Sequence, residues 1–102
     1  MGTRATIQFK DRSDIFYVYR GHDGHPDNVL ADIRAVIAQV QGRWSGAETE
    51  LLVTCMLMLA NDKNSRIPDY NITGGFHGDE SYRYYVDWAG NGWTARVESD
   101  SF

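Results

Sequence analysis

The chain has 102 residues, 42% of them apolar and 24% charged, with 14 acidic against 10 basic side chains and a net charge of −4. That length is one domain with an ordinary globular composition, and the acidic surplus argues against non-specific nucleic-acid binding, which needs a dense basic patch. The lone Cys55 excludes an internal disulfide and fits a reducing, cytoplasmic setting, and the longest apolar-rich run, residues 51–60, is too short to cross a bilayer.

The opening "MGTRATIQFK" lacks the apolar stretch of a secretory signal. Its Met-Gly start is set aside as a lipidation signal, because residues 3–10 read as a strand. Within that strand Ala5, Ile7 and Phe9 alternate with Arg4, Thr6, Gln8 and Lys10, the pattern of a half-buried element. "DRSD" (11–14) is a turn, and "IFYVYR" (15–20) follows as a second strand, apolar on both faces and so expected to lie centrally.

"GHDGHPDN" (21–28) breaks the sheet, and Pro26-Asp27 opens a helix over about 27–41. Val29, Leu30, Ile33, Val36, Ile37 and Val40 recur at three- and four-residue steps, as one buried helical face requires. Gly42 is placed to cap its end. Ser45 and Glu48 match a capping box for a second helix over about 46–62. Its stretch 51–60 is apolar nearly all round, which predicts burial on several sides, under the sheet or at a dimer seam.

Residues 66–80 read mostly as loop, with a short strand at 71–73. Residues 81–88 alternate Tyr82, Tyr84, Val86 and Trp88 against Arg83, Tyr85 and Asp87. "GNG" (90–92) is a turn, and 93–99 forms the last strand, closing a second hairpin. The expected fold is a single α+β domain over 1–102. Its order is β-β-α-α-(β)-β-β: a mainly antiparallel four- or five-stranded sheet with two helices on one face.

The three histidines fall in two Gly-Asp loops, 19–28 and 75–85. If strands 15–20 and 81–88 are antiparallel neighbours, the two loops meet at one rim. His22, Asp23, His77 and Asp79 are then the candidate ligands of a divalent zinc, iron or manganese ion, with His25 and Glu80 nearby. Such an ion would activate water for hydrolysis with Glu80 as base. Against this, Asp-Gly and Gly-Asp are ordinary turn formers and no His-Glu-x-x-His spacing is present. Cys55 reads as a small core side chain and Ser45 as a helix cap, neither as a nucleophile. Arg20, Arg83 and the tyrosines form either a polar-aromatic patch or an ordinary solvated sheet face.

"TRATIQFKD", "YVYRGHDGHPD", "GRWSG" and "GFHGDESYRYYVDW" resemble a family of small uncharacterised proteins encoded by bacteriophages, prophages and bacterial genomes. The resemblance rests on Thr3-Arg4, Tyr19-Arg20, Asp23-Gly24, Pro26 and His77-Gly78-Asp79 followed by a tyrosine-rich strand. His25 stands where the family pattern has tyrosine, which leaves His22 and His77 as the better metal pair. The family carries no assigned activity; what the resemblance implies is a setting in which small acidic proteins act on host proteins, as anti-CRISPR proteins do.

The expected function is therefore non-enzymatic binding of a host protein, by engaging a basic nucleic-acid-binding surface, with no direct nucleic acid and no membrane. The residues expected to carry it are Asp79, Glu80, Tyr82, Tyr85, Asp87, Trp88 and Trp93. The alternative is a metal-dependent hydrolase or metal-binding module on the two histidine loops. A third reading is an accessory homodimer sealed through helix 46–62.

Overall fold

The computed structural model describes residues 3–11, 14–21, 24–40, 49–61, 70–90 and 92–99. They form β1 (Ala5–Lys10), β2 (Ile15–Arg20), α1 (Pro26–Val40), α2 (Thr49–Asn61), β3 (Tyr70–Thr73), β4 (Tyr82–Trp88) and β5 (Trp93–Ser99). The class is α+β, as the periodicities imply. The caps expected at Gly42, Ser45 and Glu48 lie outside the described residues.

The five strands make one sheet in the order β3-β2-β1-β4-β5. Three of its four pairings are antiparallel, but β1 and β4 run parallel, with Ala5 beside Tyr82 and Lys10 beside Asp87. The sheet is thus two hairpins joined through their first strands. β2 is paired on both sides, as its two apolar faces imply, but β1 holds the centre.

The core lies between the sheet and the helices. β1 contributes Ala5, Ile7 and Phe9, β2 Val18, and β4 Tyr84 and Val86. α1 answers with Val29, Ile33, Val36 and Val40, which sit one above another at helical spacing. α2 adds Leu52, Val53 and Met56. Each buried Val, Leu, Ile, Phe or Met side chain among them stabilises the fold by roughly 1.5–3 kcal/mol through removal from water, and the single methyl of Ala5 by less. α2 is not buried all round: Thr54 and Met58, four residues apart, form an outward stripe, and Met58 is 61% exposed. Cys55 is half-buried against the core, as a small apolar side chain would be.

The entry to α1 shows how tightly the chain is held. The His25 carbonyl accepts bonds from the Asn28 and Val29 amides, both at 3.0 Å, and Pro26 begins the helix where no amide is needed. Gly24 donates to the Thr3 carbonyl at 2.8 Å and accepts from the Tyr84 hydroxyl at 2.6 Å. A Cβ on Gly24 would lie 2.8 Å from the Ala5 Cβ and 2.9 Å from the Thr3 oxygen, so only glycine fits that approach.

Candidate functional site

The parallel β1–β4 pairing has a geometric consequence. β3 and β4 both run in the direction of β1, so the chain leaving Thr73 must return across the sheet to start β4. Residues 74–81 make that return as a strap over the face opposite the helices. Side chains contacted by the strap come from the non-core positions of each strand: Thr6 on β1, Tyr17 and Tyr19 on β2, Arg83 and Tyr85 on β4.

Glu80 fastens the strap. Its buried carboxylate accepts four hydrogen bonds, from the Thr6 hydroxyl (2.6 Å), the His77 amide (3.0 Å), the Gly78 amide (2.9 Å) and Arg83 Nε (3.1 Å). Burial alone pushes this carboxyl up. The bonds from Thr6, Gly78, His77 and Arg83 together outweigh it and hold the pKa below the ordinary glutamate value. Gly78 reaches Glu80 with φ at +89°, a left-handed conformation that favours glycine.

Aromatic rings fill the rest of the strap's footprint. Phe76 sits edge-on to Tyr17 at 5.2 Å and tilted against Tyr85 at 5.8 Å. His77 stacks on Tyr19 at 3.8 Å with only 7° between the planes, and its Nε2 shares a 2.8 Å hydrogen bond with the Thr73 hydroxyl. The Arg83 guanidinium lies 4.5 Å over Phe76, and that of Arg96 lies 4.1 Å over Tyr85. The Tyr85 hydroxyl donates to Glu98 at 2.8 Å, and burial followed by that bond raises its pKa.

The two histidine loops do reach one pole of the sheet, but not as neighbours. β1 lies between β2 and β4, and its entry, Thr3-Arg4, anchors both loops. Thr3 holds the first through its carbonyl to Gly24 and its hydroxyl to His25 Nε2 at 3.0 Å. Arg4 holds the second through its carbonyl to the Ser81 amide at 2.8 Å and its guanidinium to Asp79 at 2.9 Å. Gly24 packs on the helix side, against Ala5 and Tyr84, whereas Asp79 lies by Tyr19 on the strap side.

Of the metal candidates, His22 and Asp23 lie outside the described residues. His77 and Asp79 are engaged with Thr73, Tyr19 and Arg4, and no cluster of three or more metal-ligating side chains forms among the described residues. The seven binding candidates divide between two faces. Asp79, Tyr85 and Asp87 belong to the strap-bearing face, and Glu80 is turned inward beneath the strap. Tyr82, Trp88 and Trp93 occupy the alternate, helix-side positions. Trp88 and Trp93 meet edge-on at 5.4 Å as the pair that ends the β4–β5 hairpin, and Trp93 also packs on the core.

The sequence places Tyr17 and Tyr19 only among the tyrosines of a polar-aromatic patch or solvated sheet face, and does not single out Phe76 or Arg96. The alternation of β2 was a usable signal for the two tyrosines. Nothing local marked Phe76, because the strap's route decides where it lands. Arg20, grouped with Arg83 in the sequence reading, is on the other side. It is buried at 5% exposure, 3.4 Å from Asp32 on α1 and 4.9 Å over the Tyr70 ring. No family model, curated protein or solved structure matches the chain.

Proposed function

We propose that this chain acts by binding another protein through the strap-bearing face of its sheet, and that it catalyses no reaction. The observation that carries the reading is the half-buried ring cluster of Tyr17, Phe76 and Tyr85, flanked by Arg83 and Arg96. Tyrosine and arginine are the side chains enriched at interface hot spots, because they offer large rigid area with polar handles. Glu80 and the Tyr19–His77 stack hold these rings in place before a partner arrives, which lowers the ordering cost of association.

The net charge of −4 favours a basic partner. The resemblance to small phage and prophage proteins carries the proposal further, to a host nucleic-acid-binding complex of the CRISPR type. An acidic protein seated on its basic surface would exclude the nucleic acid.

Capture from host lysate at low salt tests this, comparing wild type with Tyr17→Ala/Tyr85→Ala and with Met58→Ala on the opposite side. The expected result is a partner retained by wild type and Met58→Ala, lost by the double variant and weakened by salt. No partner for the wild type, or a partner held equally by the double variant, overturns the proposal.

A further inference from the structure

We propose that β3 is a self-pairing edge, through which two copies of the chain join their five-stranded sheets into one. Among the described residues the sheet ends in β3 on one side and β5 on the other. An outermost strand offers its outer backbone groups to a further strand, and soluble proteins commonly guard such edges with charge. β5 contains Arg96 and Glu98, whereas β3, Tyr-Asn-Ile-Thr, contains no charge at all. Ile72 on β3 is also 63% exposed, more than any other large apolar side chain among the described residues.

The β3 sequence suits a second copy of itself. Antiparallel pairing about a two-fold axis at Ile72 sets Ile72 against its counterpart and Asn71 against Thr73, with Tyr70 opposite Gly74. No like charges meet. The same operation at the middle of β5 would set Arg96 against Arg96, which is unfavourable. A second apolar group lies on the same side. Ile72 is paired with Val18, whose side chain is in the core, so Ile72 is directed toward the helix layer. α2 packs against β3, and its Met58 is 61% exposed. Extension of the seam onto that helix enlarges the apolar area beyond the four residues of the strand.

Sedimentation over a micromolar concentration series tests the proposal, with Ile72→Lys as the disrupting variant and Val97→Lys on β5 as the control. The wild type and Val97→Lys should dimerise. Ile72→Lys, which sets two like charges face to face, should raise the dissociation constant on the order of tenfold or more. Circular dichroism checks that each variant is folded. Ile72→Cys in a Cys55→Ala background supplies a second readout, since residues opposite each other across an antiparallel pair are about 4.5–5.5 Å apart at Cα, within disulfide range. Oxidation should cross-link it to a dimer, and Val97→Cys should not. A wild type that stays monomeric throughout overturns the proposal. So does a dimer that tolerates Ile72→Lys and leaves Ile72→Cys uncross-linked, which would place the seam elsewhere, such as on α2 alone.

Discussion

The Thr6 hydroxyl donates a 2.6 Å hydrogen bond to the Glu80 carboxylate, joining residues 74 positions apart. Both are buried, at 0% and 4% exposure, on the sheet face opposite the two described helices. Among the described residues, the strap covers them there. A carboxylate in that position is tolerated because four donors surround it. The contact ties the first strand to the segment that carries Phe76, His77 and Asp79, so the ring-rich face depends on it.

Replacing Glu80 by alanine leaves those donors without their acceptor, and should cost about 2–4 kcal/mol of stability. Thr6→Val, which removes one donor, should cost about 1 kcal/mol. Urea unfolding measures both. A Glu80→Ala loss no larger than that of Thr6→Val would mean that the strap is held by its rings instead.

The acid limb of stability should report the same carboxylate. Its folded pKa lies below the ordinary value of 4.5. The stabilisation is therefore fully present above that value and disappears as pH falls through the lower folded one. Unfolding free energies of wild type and Glu80→Gln should converge as pH drops below 4.5. Parallel curves through that range would remove Glu80 as their cause.

The alkaline limb has the opposite sign. Burial raises the hydroxyl pKa of Tyr70 and Tyr84 far above 10.0, with the Asp32 bond adding to it at Tyr70. Their contribution is present below 10.0 and is lost as pH rises toward the folded values. Tyr84→Phe should flatten that limb. At neutral pH it should cost about 1–2 kcal/mol, because the Gly24 carbonyl loses its 2.6 Å donor. Unfolding curves across pH would show an unchanged limb if Tyr84 plays no part.

Three glycines separate backbone strain from open space. Gly24→Ala forces backbone apart at Thr3 and Ala5, and should destabilise by about 1–3 kcal/mol. Gly78→Ala should cost about 1–2 kcal/mol because its φ is +89°. Gly75, with nothing near its added Cβ and no positive φ, should accept alanine within about 0.5 kcal/mol. Thermal denaturation ranks the three, and a Gly75 variant as damaging as the Gly24 one would contradict the strap's path.

Helix α2 supplies a test of orientation. Met56 is fully buried and Met58 is 61% exposed, although the two are chemically identical. In the dilute, monomeric protein Met56→Ala should cost about 2–5 kcal/mol and Met58→Ala under about 0.5 kcal/mol. Equal losses in chemical unfolding would mean that the helix is rotated from the orientation described.

Much of this fold was legible residue by residue. The alternation of Ala5, Ile7 and Phe9 and the steps of Val29, Ile33, Val36 and Val40 define buried faces, because a strand repeats every two residues and a helix every 3.6. The two hairpins followed from short turns, which leave adjacent strands little choice but to pair. Periodicity says nothing about which non-consecutive strands become neighbours, nor over which face a connection returns. Tertiary structure alone decided that β1 lies between β2 and β4, parallel to β4. From that one pairing follow the strap's route, the burial of Thr6 and Glu80, the gathering of Phe76 with Tyr17 and Tyr85, and the separation of the two histidine loops by a strand. The physical reason is that local pattern sets each element's buried side, whereas strand order depends on contacts between residues far apart in the chain.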